Sequence, residues 1–203
     1  MDKYIALVGS NSENSSNRAL LKYIKKHFAN KAEIELMEIK GLPIFAKNPT
    51  KSIPERAQEM AAKIEAADGV IISTPEYDHS VPAALLNALA WLSYSEHAFV
   101  DMPVMITGAS YGSLGSSRAQ QHLRQVLDSP ELKARVMPSS EFLLGHSLEA
   151  FDEDGNLKDP ADIALLESLF ADFQDFVVIT KQLNNTAEID QQNAANFTWE
   201  EHK

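Results

Sequence analysis

Three stretches of this sequence concentrate groups that could hold a small ligand. The first is Gly9-Ser10-Asn11-Ser12-Glu13-Asn14-Ser15-Ser16-Asn17-Arg18, dense in hydroxyls and amides and placed where a helix begins. A helix start offers N–H groups without helical partners and a partial positive charge, which together suit a phosphate. Ser15 or Ser16 could equally serve only as the helix cap. The stretch is neither a GxGxxG dinucleotide fingerprint nor a Walker loop, which would close in Gly-Lys-Ser/Thr. The second stretch is Thr74-Pro75-Glu76-Tyr77-Asp78-His79-Ser80-Val81-Pro82. Its prolines stiffen it, and a rigid loop can aim backbone groups at the rim of a flat ring. Its plainer reading is a strand-to-helix turn with Ser80 as cap. The third is Gly108-Ala109-Ser110-Tyr111-Gly112-Ser113-Leu114-Gly115. Small residues let backbone approach a ligand closely, and Tyr111 could cover an aromatic ring.

Each stretch follows an apolar run. Tyr4 to Val8, Gly69 to Ser73 and Val104 to Thr107 read as strands buried on both faces. Glu33 to Ile39 alternates at its start, so it is expected at a sheet edge. Helical spacing appears at Leu20, Leu21, Ile24 and Phe28, and again at Ala57, Met60, Ala61 and Ile64. Further helices are predicted over about Ser80 to Trp91, Ser116 to Leu127 and Ala161 to Leu183. Residues Ala134 to Leu144 are strand-like but interrupted by Pro138, which predicts a last strand that is bulged or extended. Strand and helix alternate about five times, the pattern of a parallel sheet with helices on both faces. In such sheets ligands bind beyond the carboxyl ends of the strands, where strand order reverses.

The chain has 203 residues, 44% of them hydrophobic. One domain over residues 1–183 is expected, followed by a polar tail, 184–203, that is frayed or packed on a partner subunit. The net charge of −11 disfavours nucleic acid and anionic lipid as partners. There is no cysteine, which excludes disulfides, thiolate catalysis and cysteine-held metals. The histidines, His27, His79, His97, His122, His146 and His202, show no HExxH spacing, so no metal site is expected. Trp91 and Trp199 read as packing or interface residues. No apolar run is long enough to cross a bilayer, and the N-terminus reads as a first strand, so the expected location is cytoplasmic.

The three motifs, GSNSENSSNR, PEYDHSVPAALLNALAW and SYGSLGS, occur in the order found in the NADPH-dependent FMN reductase family. That family typically reads GSxRxxSxNR, PEYNxSxPxxLKNAxDW and a SxGxxGG-like segment, and this chain resembles it from about Met1 to Leu183. The resemblance implies a flavodoxin-like three-layer α/β/α sandwich with a five-stranded parallel sheet of order 2-1-3-4-5. It implies FMN, with Ser10, Ser15 and Asn17 on its phosphate and Ser16 nearby. Pro75, Glu76, Tyr77 and Asp78 would line the isoalloxazine edge, largely through backbone. Ser110 and Gly112 would close the other side, with Tyr111 adjacent. FMN would take a hydride at N5 from NADPH or NADH. It would then pass electrons to a flavin, quinone, azo compound or similar acceptor in a ping-pong cycle, without a dedicated catalytic acid or base. A homodimer or homotetramer is implied, with the Ser80 to Trp91 helix as an interface element. Three departures stand out: Ser12 for the usual arginine, Asp78 for the usual asparagine, and Gly115-Ser116 for Gly-Gly.

Two rival readings compete with this one. Gly108-Ala109-Ser110-Tyr111-Gly112 matches the GxSxG of a nucleophile elbow, with Asp128 and His146 following in triad order. An elbow normally enters its helix directly, however, and a hydrolase leaves the first two stretches without a role. A passive flavodoxin-type electron carrier fits the acidic composition, but the TGNT-like phosphate loop of such carriers is missing.

Overall fold

A computed structural model describes residues 1–48, 50, 52–94, 97–183 and 187–196. Strand and helix alternate as β1 (Asp2–Val8), α1 (Ser16–His27), β2 (Ala32–Glu38), α2 (Glu55–Glu65), β3 (Gly69–Ser73), α3 (Ala83–Tyr94), β4 (Pro103–Ala109) and α4 (Ser117–Leu127). Two short strands follow, β5 (Arg135–Val136) and β6 (Phe142–Leu144), then α5 (Pro160–Gln182) and α6 (Ala187–Asn196). All strand pairs are parallel, in the order β2-β1-β3-β4-β5, with β6 also on β4.

The strand compositions follow from this layering. β1 from Tyr4 onward, and all of β3 and β4, are buried on both faces and are correspondingly apolar. On one face Ile5, Leu7, Ile72 and Ile106 pack under Met60 and Ile64 of α2, Leu85 and Leu89 of α3, and Leu123 of α4. On the other, Tyr4, Ala6, Ile71 and Met105 pack under Leu20 and Ile24 of α1 and Phe170, Phe173 and Val177 of α5. Phe28 and Phe170 stack at 3.8 Å between ring centroids. Truncating a ring such as Phe173, which is fully buried, would cost about 3–5 kcal/mol. β2 is the edge strand expected from its alternation, with Ala32 and Ile34 buried and Glu33 and Glu35 exposed.

The last strand differs from its expectation. Instead of one bulged strand, β5 pairs with Pro103 and Val104 while β6 pairs with Thr107 to Ala109. Between them the chain loops out around Pro138, which has no N–H for a ladder. Arg124 of α4 fills the gap by donating to the carbonyls of Met137 and Ser140. α3 begins at Ala83 rather than Ser80, because Ser80 is paired with Tyr77 in the preceding turn. In the tail, α6 is helical, Asp190 pairs with Lys133 of its own chain, and Ala194 is buried. Trp199 and His202 lie outside the described residues. Among the described residues no helix is long and apolar enough to cross a membrane.

Candidate active site

β1, β3 and β4 are neighbours in the sheet, so the loops at their carboxyl ends meet at one rim. Strand order reverses between β1 and β3, the point at which open α/β sheets take ligands. A cavity of about 380 Å³ lies there. Every predicted binding residue lines it except Asp78, whose side chain is exposed on the turn outside. Ser12, Asn14 and Ala109 also line it, positions to which sequence reasoning gave no ligand role.

The first loop is held from behind. Ser15 caps α1, its Oγ accepting from the Arg18 N–H at 3.3 Å. Ser10 is buried, and its Oγ accepts from the Ser12 N–H at 3.2 Å. Arg18 reaches both carboxylate oxygens of Glu38 at the end of β2, at 2.6 and 2.8 Å. The same guanidinium takes the carbonyls of Ser10, Ser12 and Glu13. The trans peptides therefore turn the N–H groups of Asn11, Glu13 and Asn14 away from Arg18. Glu38 raises the Arg18 pKa still further above its ordinary value. Asn17 is a brace. Its Nδ2 donates to the Ala109 carbonyl at 2.9 Å, and its Oδ1 accepts from the Ala109 N–H at 2.9 Å and the Ser73 hydroxyl at 2.8 Å. The buried side chain ties α1 to β3 and β4, which leaves its main-chain N–H for a ligand.

The second loop is a tight reversal. Tyr77 and Ser80 exchange N–H···O bonds of 3.1 and 2.9 Å. Asp78 and His79 between them are both left-handed, with φ of 50° and 60°. Two consecutive positive φ values are the mark of a type I′ turn, where asparagine is the favoured first residue and aspartate is tolerated. Glu76, just before the turn, caps α4. Its carboxylate accepts from the Arg118 and Ala119 N–H groups at 3.0 and 3.4 Å and from the Arg118 guanidinium at 3.2 Å. The cap comes from afar because Ser116, the residue before α4, is left-handed and makes no side-chain cap bond. Burial pushes the Glu76 carboxyl up, but hydrogen bonds from His79, Ala119 and Arg118 outweigh it and hold the group below the ordinary carboxylate range. One turn further along α4, His122 Nδ1 lies 2.7 Å from the Ser80 hydroxyl. Both grips were invisible in the sequence, since some forty residues separate Glu76 from Arg118.

The third loop leans on the segment after β6. The Ser110 N–H donates to the Leu144 carbonyl at 3.0 Å, and the Ser147 N–H donates to the Ser110 carbonyl at 3.0 Å. Gly112 O accepts from the His146 N–H at 3.0 Å and from the Ser110 hydroxyl at 3.1 Å. The buried Ser147 hydroxyl reaches Ser16 Oγ at 2.9 Å. Its only signal in the sequence was a place after the last strand. Gly115, at φ +56°, is required by the fold, because a Cβ there would stand 2.3 Å from the Leu143 carbonyl carbon. Gly112 is different: a Cβ would meet nothing within 4 Å, so protein packing does not demand glycine where it borders the cavity.

The cavity draws hydroxyls from the first loop and rings from the other two. Ser10, Ser12, Ser15 and Ser16 supply the hydroxyls, with no lysine or arginine among the described lining residues. Pro75, Tyr77 and Tyr111 line it from the second and third loops, and the two tyrosines are 51% and 61% exposed. The triad is not assembled: no described histidine bonds the Ser110 hydroxyl, His146 meets Gly112 through its backbone, and Asp128 is the C-cap of α4. Among the described residues no three acidic or histidine side chains cluster as a metal site.

Residues 3–149 match the family described as NADPH-dependent FMN reductase. NADH:(hydroxy)cinnamate reductase subunit CrdA of Vibrio ruber is 53% identical over 89% of this chain and 90% of its own length. NADH-dependent flavin reductase subunit 2 of Lactobacillus johnsonii is 40% identical over 86% of this chain and 97% of its own. Among solved structures, FerB, a flavoenzyme NAD(P)H:(acceptor) oxidoreductase from Paracoccus denitrificans, superposes with a TM-score of 0.79 at 26% identity. It covers 89% of this chain and 99% of that one. From its sheet order, its rim cavity and these matches, the chain belongs to the NADPH-dependent FMN reductase family and is an NAD(P)H-dependent flavin oxidoreductase.

Proposed function

We propose that the rim cavity is the FMN site and that the chain reduces a small-molecule acceptor there. The observation that carries this is a rim cavity lined both by serine hydroxyls at a helix start and by Pro75, Tyr77 and Tyr111 from the other two loops. FMN, when bound, supplies hydride acceptance from NAD(P)H and onward electron transfer. The chain's own work is binding and orientation. Ser10, Ser15, Ser16 and the N–H groups opening α1, Asn17 included, hold the phosphate, with Ser12 beside them. The backbone of Pro75, Glu76 and Tyr77 meets one edge of the ring. Ser110 and Gly112 meet the other, with Tyr111 over the mouth. The open space at Gly112 fits a ring lying against bare backbone. Asp78 acts through its charge at the turn rather than by contact.

The test is the absorption spectrum of the purified protein before and after NADH or NADPH under nitrogen. A yellow species that bleaches supports the reading, and a saturating FMN titration with no uptake overturns it. Relatives named as flavin and quinone reductases make flavins and quinones the first acceptors to assay. A second reading, delivery of electrons to a partner subunit, is favoured because two relatives are themselves named as subunits. Steady NADH oxidation with free flavin or quinone by the pure chain supports the first reading. Turnover only when a second protein is added supports the other. A homodimer or homotetramer in the cytoplasm completes the proposal. α3 supports it by carrying no charged side chain along its length while Ala83 is exposed and Ala84, Leu86 and Ala90 are half-buried. Light scattering on a sizing column reads the oligomer directly.

A further inference from the structure

α5 carries two apolar seams where a surface helix needs one. The first, Leu166, Phe170, Phe173 and Val177, is buried against the sheet. The second runs one residue out of step, through Leu165, Leu169, Asp172, Phe176, Ile179 and Leu183. Its steps alternate between four and three residues, the spacing by which one helix takes another along its length. Leu169 is buried and Phe176 half-buried, but Leu165, Ile179 and Leu183 stand 45%, 54% and 54% exposed with α6 in place. Apolar side chains left in water along one line mark a contact surface.

The chain that loops out around Pro138 makes this seam a groove of about 310 Å³. Met137 and Pro138 line it together with Leu169, Phe176 and Ile179. Asp172 and Asp175 stand on the same wall, both exposed. Neither makes a hydrogen bond or ion pair with any described residue.

The two acids decide what fits. They lie at the middle of the seam, so a second copy packed on it about a two-fold axis would bring carboxylate against carboxylate among apolar side chains, where like charges repel strongly. The net charge of −11 likewise repels an anionic membrane surface. A cation flanked by apolar side chains complements both parts of the groove.

We propose that this groove docks an amphipathic helix of a second protein, one presenting leucine-like side chains at heptad spacing around a central arginine or lysine. The cation pairs with Asp172 and Asp175. Apolar side chains on either side of it cover Leu165 at one end and Ile179 and Leu183 at the other. The groove shares no lining residue with the rim cavity, and α5 lies on the opposite face of the sheet from α3. A docked helix therefore leaves both the rim cavity and the α3 face open.

The test uses a synthetic peptide of about three heptads, with leucine at the apolar positions and arginine at the central one. The full chain is titrated into nanomolar labelled peptide and binding is read by fluorescence anisotropy. A second peptide carries glutamate in place of the arginine. Wild type should bind the arginine peptide about tenfold more tightly than the glutamate peptide. Asp172→Lys combined with Asp175→Lys should reverse that preference. Ile179→Ser, at an exposed position, should weaken both peptides several-fold. No binding of the arginine peptide by wild type, equal binding of the two peptides, or a preference that survives the charge reversal each overturns the proposal. So does an oligomer of the pure chain that Ile179→Ser dissolves, since a second copy would then fill the groove. FMN uptake, read separately by absorbance, should be the same in wild type and these variants, and its failure in wild type would count against the flavin reading alone.

Discussion

The loop after β1 and the turn after β3 border the same cavity but divide labour in opposite ways. In the first, hydroxyl side chains line the cavity while the backbone carbonyls are drawn back by Arg18. In the second, the charged side chain of Glu76 is engaged in capping α4, and the strained left-handed backbone of Asp78 and His79 fixes the shape. A phosphate needs many donors with adjustable positions, which serine hydroxyls and a helix start provide. The rim of a flat ring needs a few donors and acceptors in a fixed plane, which a turn braced from behind provides. In the proposed function the same cavity sets side chains against a phosphate and main chain against a ring.

Removing the shared brace should have the largest effect. Asn17→Ala strands the buried Ala109 N–H and carbonyl and the Ser73 hydroxyl, and should cost about 3 kcal/mol, read as a lower urea midpoint with FMN lost from the protein. Next, Arg18→Gln should loosen the first loop alone, weakening FMN about tenfold in a fluorescence titration while the turn after β3 keeps its amide protection. If both regions loosen together, the division of labour is wrong. Glu76→Gln should cost about 1 kcal/mol through the α4 cap and shift FMN affinity less than Arg18→Gln does. Because the folded Glu76 carboxyl sits below its ordinary 4.5, its contribution is complete above that pH and is lost as pH falls through the lower folded value. Wild type and Glu76→Gln stabilities should therefore converge on acidification below about 4.5, and parallel curves would show that the cap carries no charge-dependent stability. The smallest effect belongs to Asp78→Asn. It should stabilise the left-handed turn by a few tenths of a kcal/mol and raise the flavin reduction potential slightly, since removing a negative charge favours anionic reduced flavin. Exposure of Asp78 outside the cavity keeps that shift small, and an unchanged potential removes Asp78 from the redox argument.

The sheet was legible because its evidence is local. Strands apolar on both faces, an edge strand alternating Ile34 against Glu33 and Glu35, and helices of period near four follow directly from which faces meet water. The last strand was not, because pairing to β4 is decided by where Pro138 and Arg124 fall in space. The same boundary runs through the site. Ser10, Ser15 and Ser16 were readable, since a run of hydroxyls before a helix has a local meaning. The bracing role of the Asn17 side chain was not readable, because its partners, Ser73 and Ala109, are more than fifty residues away. Ser147 went unread for the same reason. The sequence by itself determined the alternation of strand and helix, the three loops that meet at the rim and the type of group each presents. Only the tertiary structure decided which of those groups face the cavity and which brace it. A hydrogen bond across the sheet depends on a closed chain, and no spacing along the open one records it.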